Sequence, residues 1–391
     1  MELQTRSKVY TLPSYSLTGD LLGFLRCGLQ YRYGTVGQLP SSHPVQLWFG
    51  QFIHGVLEEG YRQFDAARRG GKGDAPPWPE PRVAEICDRV EKRLGAQGLF
   101  PWSHDLKDLG RMRAQVALND LAPDLFPLVH QAEVRLTGAR RLPVEKIQNN
   151  FRNADRYEMV GVVDVLTHME LGSPHLANNR LVRLILDALP ENLPPKFEVI
   201  LDYKGMKRPP FKTSRGPHYW DIYGWQVQTY AHLRDVQDDE DRYPVVAGVL
   251  LYLNELFPTW SDVGELLRQS RTGRTDVPVT FDPEAVRVLR TKRARSVAYP
   301  PLAPIDFRLK RAVRVVPVDK NSMKEALERF DDVVARIETC HGTERKHGRV
   351  IASWERNAMD EGTCAACDSR TWCPDFTTDM RPRVPGVKGW P

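Results

Sequence analysis

Residues 157–169 read YEMVGVVDVLTHM and residues 196–205 read KFEVILDYKG. Both stretches are rich in β-branched residues and alternate with a period of two, the pattern of strands packed against a core. Each apolar run also delivers a carboxylate: GVV leads to Asp164, VIL leads to Asp202, and Lys204 follows two residues later. Side chains two apart on a strand face the same way, so Asp202 and Lys204 converge on one point. A neighbouring strand would bring Asp164 beside them. Two adjacent carboxylates repel and raise the proton affinity of at least one, unless a divalent cation neutralises them. Magnesium suits such a site, because it takes oxygen ligands and keeps waters and substrate phosphate. The alternative is that both aspartates end strands at solvent and Lys204 is a surface charge, since D-x-K alone is a short pattern.

Working outward, residues 14–33 and 45–69 have helical spacing, the second with Trp48, Phe52 and Val56 on one face. GGKGDAPPWPEP, residues 70–81, reads as an exposed loop. Helical periodicity returns over 82–94 and 104–121. HQAEVRLTG adds a strand before the two above, residues 219–234 a helix, and YPVVAGVLLYL, residues 243–253, a strand buried on both faces. IDFRLKRAVRVVPV holds possible strands, and a last helix is expected to begin at Ser322, with Glu325 completing a capping box. The order of helices, three or four strands, a helix and a strand predicts an α/β fold, a mixed sheet with helices against it. The predicted divisions are 1–125, mostly helical; 126–258, the core; 259–341, a basic segment and helix; and 342–391, a cysteine region with a mobile Pro-rich tail.

The ordered motifs resemble the PD-(D/E)XK nuclease superfamily, with its restriction-endonuclease-like core, and in particular its RecB-like branch. The resemblance implies that Asp164 and Asp202 bind a catalytic Mg²⁺ or Mn²⁺ and that Lys204 assists the attacking water. The family's following helix carries Q-h-x-x-Y, matched here by Gln226 and Tyr230 in WQVQTY; four residues apart, they share a helical face. His54, ending GQFIH, matches a histidine that approaches or ligates the metal in RecB-like nucleases, and the carbonyl of Tyr203 joins the implied ligand set. A lone histidine on an apolar helix is otherwise a satisfied core residue. Glu133 matches a glutamate often seen before the catalytic strands, with a solvated strand residue as the equal alternative.

CAACDSRTWC places Cys364, Cys367 and Cys373 within one short segment, which points to metal. The fourth thiol, Cys27 in FLRCGLQYRYG, comes from resemblance. AddB-type nucleases and the four-cysteine nucleases of CRISPR adaptation place one cysteine before the core and three after it, around a [4Fe-4S] cluster. Gly28 departs from them, standing where many relatives have proline, a change expected to matter little. A zinc site or unligated thiols are the alternatives. Cys87 and Cys340 lie on predicted helices and read as inert.

Between Lys204 and Trp220 the chain carries Lys207, Arg208, Lys212, Arg215 and His218 with no acidic residue, a basic loop suited to phosphate. A second basic run holds Arg287, Arg290, Lys292, Arg293 and Arg295, with Tyr299 nearby. Tyr219 and Trp220 are candidates for base stacking or core. Overall, 55 Lys+Arg against 50 Asp+Glu leave a formal charge of +5, too small to identify a nucleic-acid partner by itself. The resemblance implies phosphodiester hydrolysis on single-stranded DNA or DNA ends. Its rivals are a catalytically silent DNA- or partner-binding module and a zinc-stabilised interaction protein. No phosphate-binding G-x4-G-K-[ST] loop occurs, so coupled unwinding would need a helicase or other DNA-processing partner. No apolar run of about 18 residues and no signal pattern occur, so a soluble cytoplasmic chain without a membrane partner is expected.

Overall fold

The computed structural model describes residues 12–39, 45–70, 75–211, 219–290, 297–356, 363–364 and 367–375. Its centre is a six-stranded mixed sheet flanked by helices, as the strand patterns predict. The strands are β1 (Ser14–Ser16), β2 (Val129–Arg141), β3 (Arg156–Glu170), β4 (Lys196–Lys204), β5 (Val245–Tyr252) and β6 (Val313–Pro317). β2 lies along one edge of β3; on its other side the long β3 pairs with β1 near its start and with β4 near its end. β4 and β5 run parallel, and antiparallel β6 closes the far edge.

The longer helices are α1 (Val45–Gly70), α2 (Glu80–Ala96), α3 (His104–Val116), α4 (Tyr219–Asp235), α5 (Trp260–Thr272), α6 (Ile305–Ala312) and α7 (Lys320–His347). Helices α1 to α3 pack on one sheet face, burying Phe197, Val199 and Leu201 of β4. On the other face, α4 and α7 cover Ile200, Leu250 and Tyr252. β4 is therefore buried on both sides, and its even-numbered residues look toward α4. No helix among the described residues is long and apolar enough to cross a membrane.

Several predicted elements need correction. Residues 14–16 form β1 before the chain turns helical over 17–26 and again over 28–36, because Ser14 to Ser16 pair with Glu158 to Val160. Within IDFRLKRAVRVVPV the first part is helix α6, which buries Phe307 with Arg311 and Arg308 with Ala312 at four-residue spacing, and only the last residues form β6. α7 starts earlier than Ser322: Asp319 is the N-cap, and Ser322 fills the third position of a reciprocal capping box with it. In the predicted exposed loop, Trp78 is buried to 2% exposure and bonded through its backbone to Asn119. Cys87 and Cys340 are buried on helices, as expected. The Pro-rich tail lies outside the described residues.

Candidate metal centre and thiol cavity

The phase of the sheet changes at one row, and the centre forms there. On β3, Tyr157, Met159 and Val163 belong to the α4-side core, whereas Val165 and Met169 belong to the α1-side core. β2 changes in step: Val134 and Leu136 pack with the first core, and Ala132, two residues before Val134, with the second. The pairing places Val163 against Val134 and Val165 against Ala132, so Glu133 and Asp164 oppose each other at the seam. Glu133 has φ +52°, a left-handed conformation that costs a non-glycine residue roughly 1 kcal/mol or more. Such irregularities re-aim side chains.

Asp164, Asp202, Lys204, His54, Tyr203, Gln226 and Tyr230 meet at this end of the sheet. Asp164 Oδ2 accepts the Tyr203 N–H at 2.6 Å. Asp202, 7% exposed, accepts from Gln226 Nε2 at 3.0 Å through Oδ1 and forms an ion pair with Lys204 through Oδ2. Lys204 Nζ donates to Gln226 Oε1 at 2.9 Å and sits 4.4 Å above the Tyr223 ring. Gln226 Nε2 also donates to the Tyr230 hydroxyl at 3.3 Å, and the Thr18 side chain hydrogen-bonds to Tyr230. Burial pushes the Tyr230 phenol up to about 12, so it stays protonated at neutral pH.

Glycines bring the supporting helices in. A Cβ on Gly161 would meet the Tyr230 ring at 2.7 Å, which explains the glycine that opens GVVD. A Cβ on Gly205 would stand 3.2 Å from Gly50 Cα, so the glycine after DYK lets α1 lie close above β4. That approach sets His54 edge-on to the Tyr203 ring, with Nε2 3.1 Å from the Tyr203 carbonyl and Nδ1 3.6 Å from Asp164 Oδ1.

These contacts leave an electrostatic imbalance that a cation would remove. Burial lowers the His54 pKa, so the ring is neutral near pH 7; with Nε2–H donated to the carbonyl, Nδ1 turns a lone pair toward a carboxylate. Burial, and then the Asp202 charge, raise the Asp164 carboxyl well above its usual range. Asp202 Oδ2 is buried and receives no aligned hydrogen bond despite its ion pair. Nitrogen and carboxylate oxygens of His54, Glu133 and Asp164 all lie within 4.8 Å of one another. Two carboxylates and an imidazole nitrogen are a mixed donor set of the kind that holds a divalent cation. The tight group thus includes Glu133, to which sequence reasoning gave little weight, while Asp202 stands behind it with Lys204.

A cleft of about 720 Å³ opens beside His54 and Glu133, walled by Gln51, Glu58, Arg93 and Gln97. The predicted phosphate contacts are less uniform than the sequence implies. Arg208 is 6% exposed and holds Asp276 through both nitrogens at 2.6 and 2.8 Å, so it is an internal tie rather than a free cation. Lys207 is exposed and pairs with Asp262 at 3.2 Å. Lys212, Arg215 and His218 lie outside the described residues, as do Lys292, Arg293 and Arg295.

Cys27, Cys364, Cys367 and Cys373 line one small cavity with Gln30, Thr363 and Arg370. Successive turns space the last three: Cys367 N–H donates to the Cys364 carbonyl, Arg370 N–H to Cys367 and Cys373 N–H to Arg370, each at 3.2 Å. The position of Gly28 has a structural reason. A Cβ there would meet the Glu355 carbonyl oxygen at 2.9 Å, and that oxygen accepts the Leu29 N–H. The small residue lets the segment leading to the three cysteines dock beside Cys27, so Gly28 matters more than the sequence suggests.

Residues 19–177 match the family model of the PD-(D/E)XK nuclease superfamily, which assigns a domain of that kind to this part of the chain. The matched span carries Cys27, His54, Glu133 and Asp164 and ends before Asp202. It points to a metal-dependent nuclease. No curated protein matches the chain.

Proposed function

We propose that the protein is a metal-dependent deoxyribonuclease hydrolysing phosphodiester bonds, with single-stranded DNA or DNA ends as substrate. The observation that supports this reading best is the meeting of Asp164, Asp202 and Lys204 at one sheet end beneath His54. Asp164, Glu133, His54, the Tyr203 carbonyl and Asp202 are the residues that would hold Mg²⁺ or Mn²⁺. When bound, the cation lowers the pKa of water and stabilises charge on the attacked phosphate. The chain supplies the remainder. Lys204 offers an ammonium group to orient the nucleophile or to offset charge on the phosphoryl oxygens. Gln226 fixes Lys204 and Asp202 at once, and Tyr230, itself held by Thr18, fixes Gln226.

Cys27, Cys364, Cys367 and Cys373 would hold a [4Fe-4S] cluster whose role is structural, fastening the two ends of the chain around the core. Gathering the four thiols at one cavity supports that reading. Brown colour and iron in anaerobically purified protein are expected; a colourless protein containing zinc would replace the cluster with a zinc site.

End-labelled single-stranded DNA with Mn²⁺ is the direct test, with Asp202→Ala as control. A product ladder from the wild type and none from the variant is expected. Binding without cleavage by the wild type would instead establish a silent nucleic-acid-binding module.

A further inference from the structure

A groove of about 400 Å³ lies on the flank of α4 opposite the centre, between the β6 edge and the start of α7. It is linked to the centre through the sheet. Asp202 pairs with Leu250, and Leu250 pairs with Arg314. Directly paired residues project to one face, so Asp202 and Arg314 share the α4 side, two strand spacings or about 10 Å apart.

Two guanidinium groups line the groove, each laid on a tryptophan: Arg314 is 3.7 Å from the Trp220 ring and Arg329 4.2 Å from the Trp225 ring. Both indoles are anchored, Trp220 by the Pro210 carbonyl and Trp225 by the Ala326 carbonyl. Neither arginine is held by a close carboxylate, although Asp221 attracts both from a distance. Arg314 Nε is buried without a hydrogen-bond partner, and its nearest carboxylate, Asp276 at 3.9 Å, is already held by Arg208. The groove's own Asp221 and Glu325 make no ion pair with Arg314 or Arg329 among the described residues. A guanidinium fixed by stacking keeps its edge donors for a planar, two-pronged contact with phosphate.

We propose that this groove binds the sugar–phosphate chain flanking the bond to be cut, with Arg314 and Arg329 as its phosphate contacts. The inference rests on the nuclease reading and deepens it. Gln226 and Tyr230 face the centre, while Gly224 and Gln228 face the groove, so the strand must turn around the N-terminal end of α4. A single strand makes that bend; a duplex, with a persistence length of about 150 base pairs, does not.

The test uses the full chain with Ca²⁺ replacing Mn²⁺ for binding, and oligothymidylates of about 6 and about 25 nucleotides. Arg329→Gln, at an exposed position, should weaken the long oligonucleotide about tenfold and reduce the salt slope by about 0.7. Arg314→Lys, which keeps charge but loses the planar fork, should weaken it further. Cleavage of the short oligonucleotide in Mn²⁺ should stay at the wild-type rate in Arg329→Gln, and the melting temperature of that variant should not move. Unchanged long-strand affinity and salt slope in both variants would overturn the proposal and leave the β6 edge to an extended peptide. Equal loss on short and long strands would overturn it too. If the wild type cleaves nothing, yet Arg329→Gln still weakens only the long strand, the groove stands and the nuclease reading falls.

Discussion

At the scale of single residues, the centre trades stability for chemistry. Asp164 has its carboxyl raised by burial and by Asp202. Asp164→Asn removes that buried charge and keeps an oxygen for the Tyr203 N–H. The metal-free variant should be more stable than wild type by on the order of 1 kcal/mol in urea unfolding, while cleavage disappears. Glu133 offers a second test: Glu133→Gln keeps the shape and removes a charge from the tight group, so Mn²⁺ affinity by calorimetry should fall tenfold or more, roughly the size of ligand-environment effects. Wild-type affinity in this variant would remove Glu133 from the ligand set. Asp164, Asp202 and Lys204 were legible because each follows an apolar strand run at a readable spacing. Glu133 was reached only through the family resemblance and with little weight, because period-two reasoning assumes an unbroken alternation, whereas β2 and β3 both change phase at its row. No residue letter announces a left-handed glutamate in mid-strand.

At the scale of elements, α4 transmits the sheet's geometry to the centre. A Cβ on Gly248 of β5 would fall 1.8 Å from Val227 Cγ1, inside any permitted contact. Gly248→Ala should therefore push α4 off the sheet, costing about 3 kcal/mol in urea unfolding. It should also lower cleavage by displacing Gln226 and Tyr230, without touching any candidate ligand directly. Farther from the centre, His130 stacks on His168 at 3.5 Å, and His168 Nε2 lies 3.0 Å from the fully buried Glu198, which Arg234 also holds. Burial, and then the His168 charge, lower the His130 pKa below its ordinary 6.5. A base with a depressed folded-state pKa contributes stability present above its unfolded value and lost as pH falls through the folded one. The melting temperature should thus drop on acidification below about pH 6, and less so in His130→Phe. Element boundaries were readable where periodicity was long, as in α1 and α4. They were misread where a helix passes directly into a strand: the eight residues of α6 are too few for their spacing to stand out from the apolar run of β6 that follows.

At the scale of the whole molecule, sequence-distant parts close one structure. Ser14 pairs with Glu158, Arg32 grips Glu344 through two hydrogen bonds of 2.7 Å, and Cys27 reaches the cavity of Cys364, Cys367 and Cys373. Cys27→Ser should bleach the expected colour and lower the melting temperature by several degrees, while leaving Mn²⁺ affinity intact, because that cavity shares none of the candidate cation ligands. Loss of cation binding together with colour would show that the two sites are one unit. The order of folding during synthesis follows from the same connectivity. β2, β3 and β4 associate as neighbours soon after they leave the ribosome, but Leu17, Leu21 and Phe24 must wait for α7 before they are covered. A chain halted short of residue 320 would leave Cys27 without its sulfur companions and its N-terminal apolar turns unsheltered, an unfinished product that quality-control proteases would find easy to grasp.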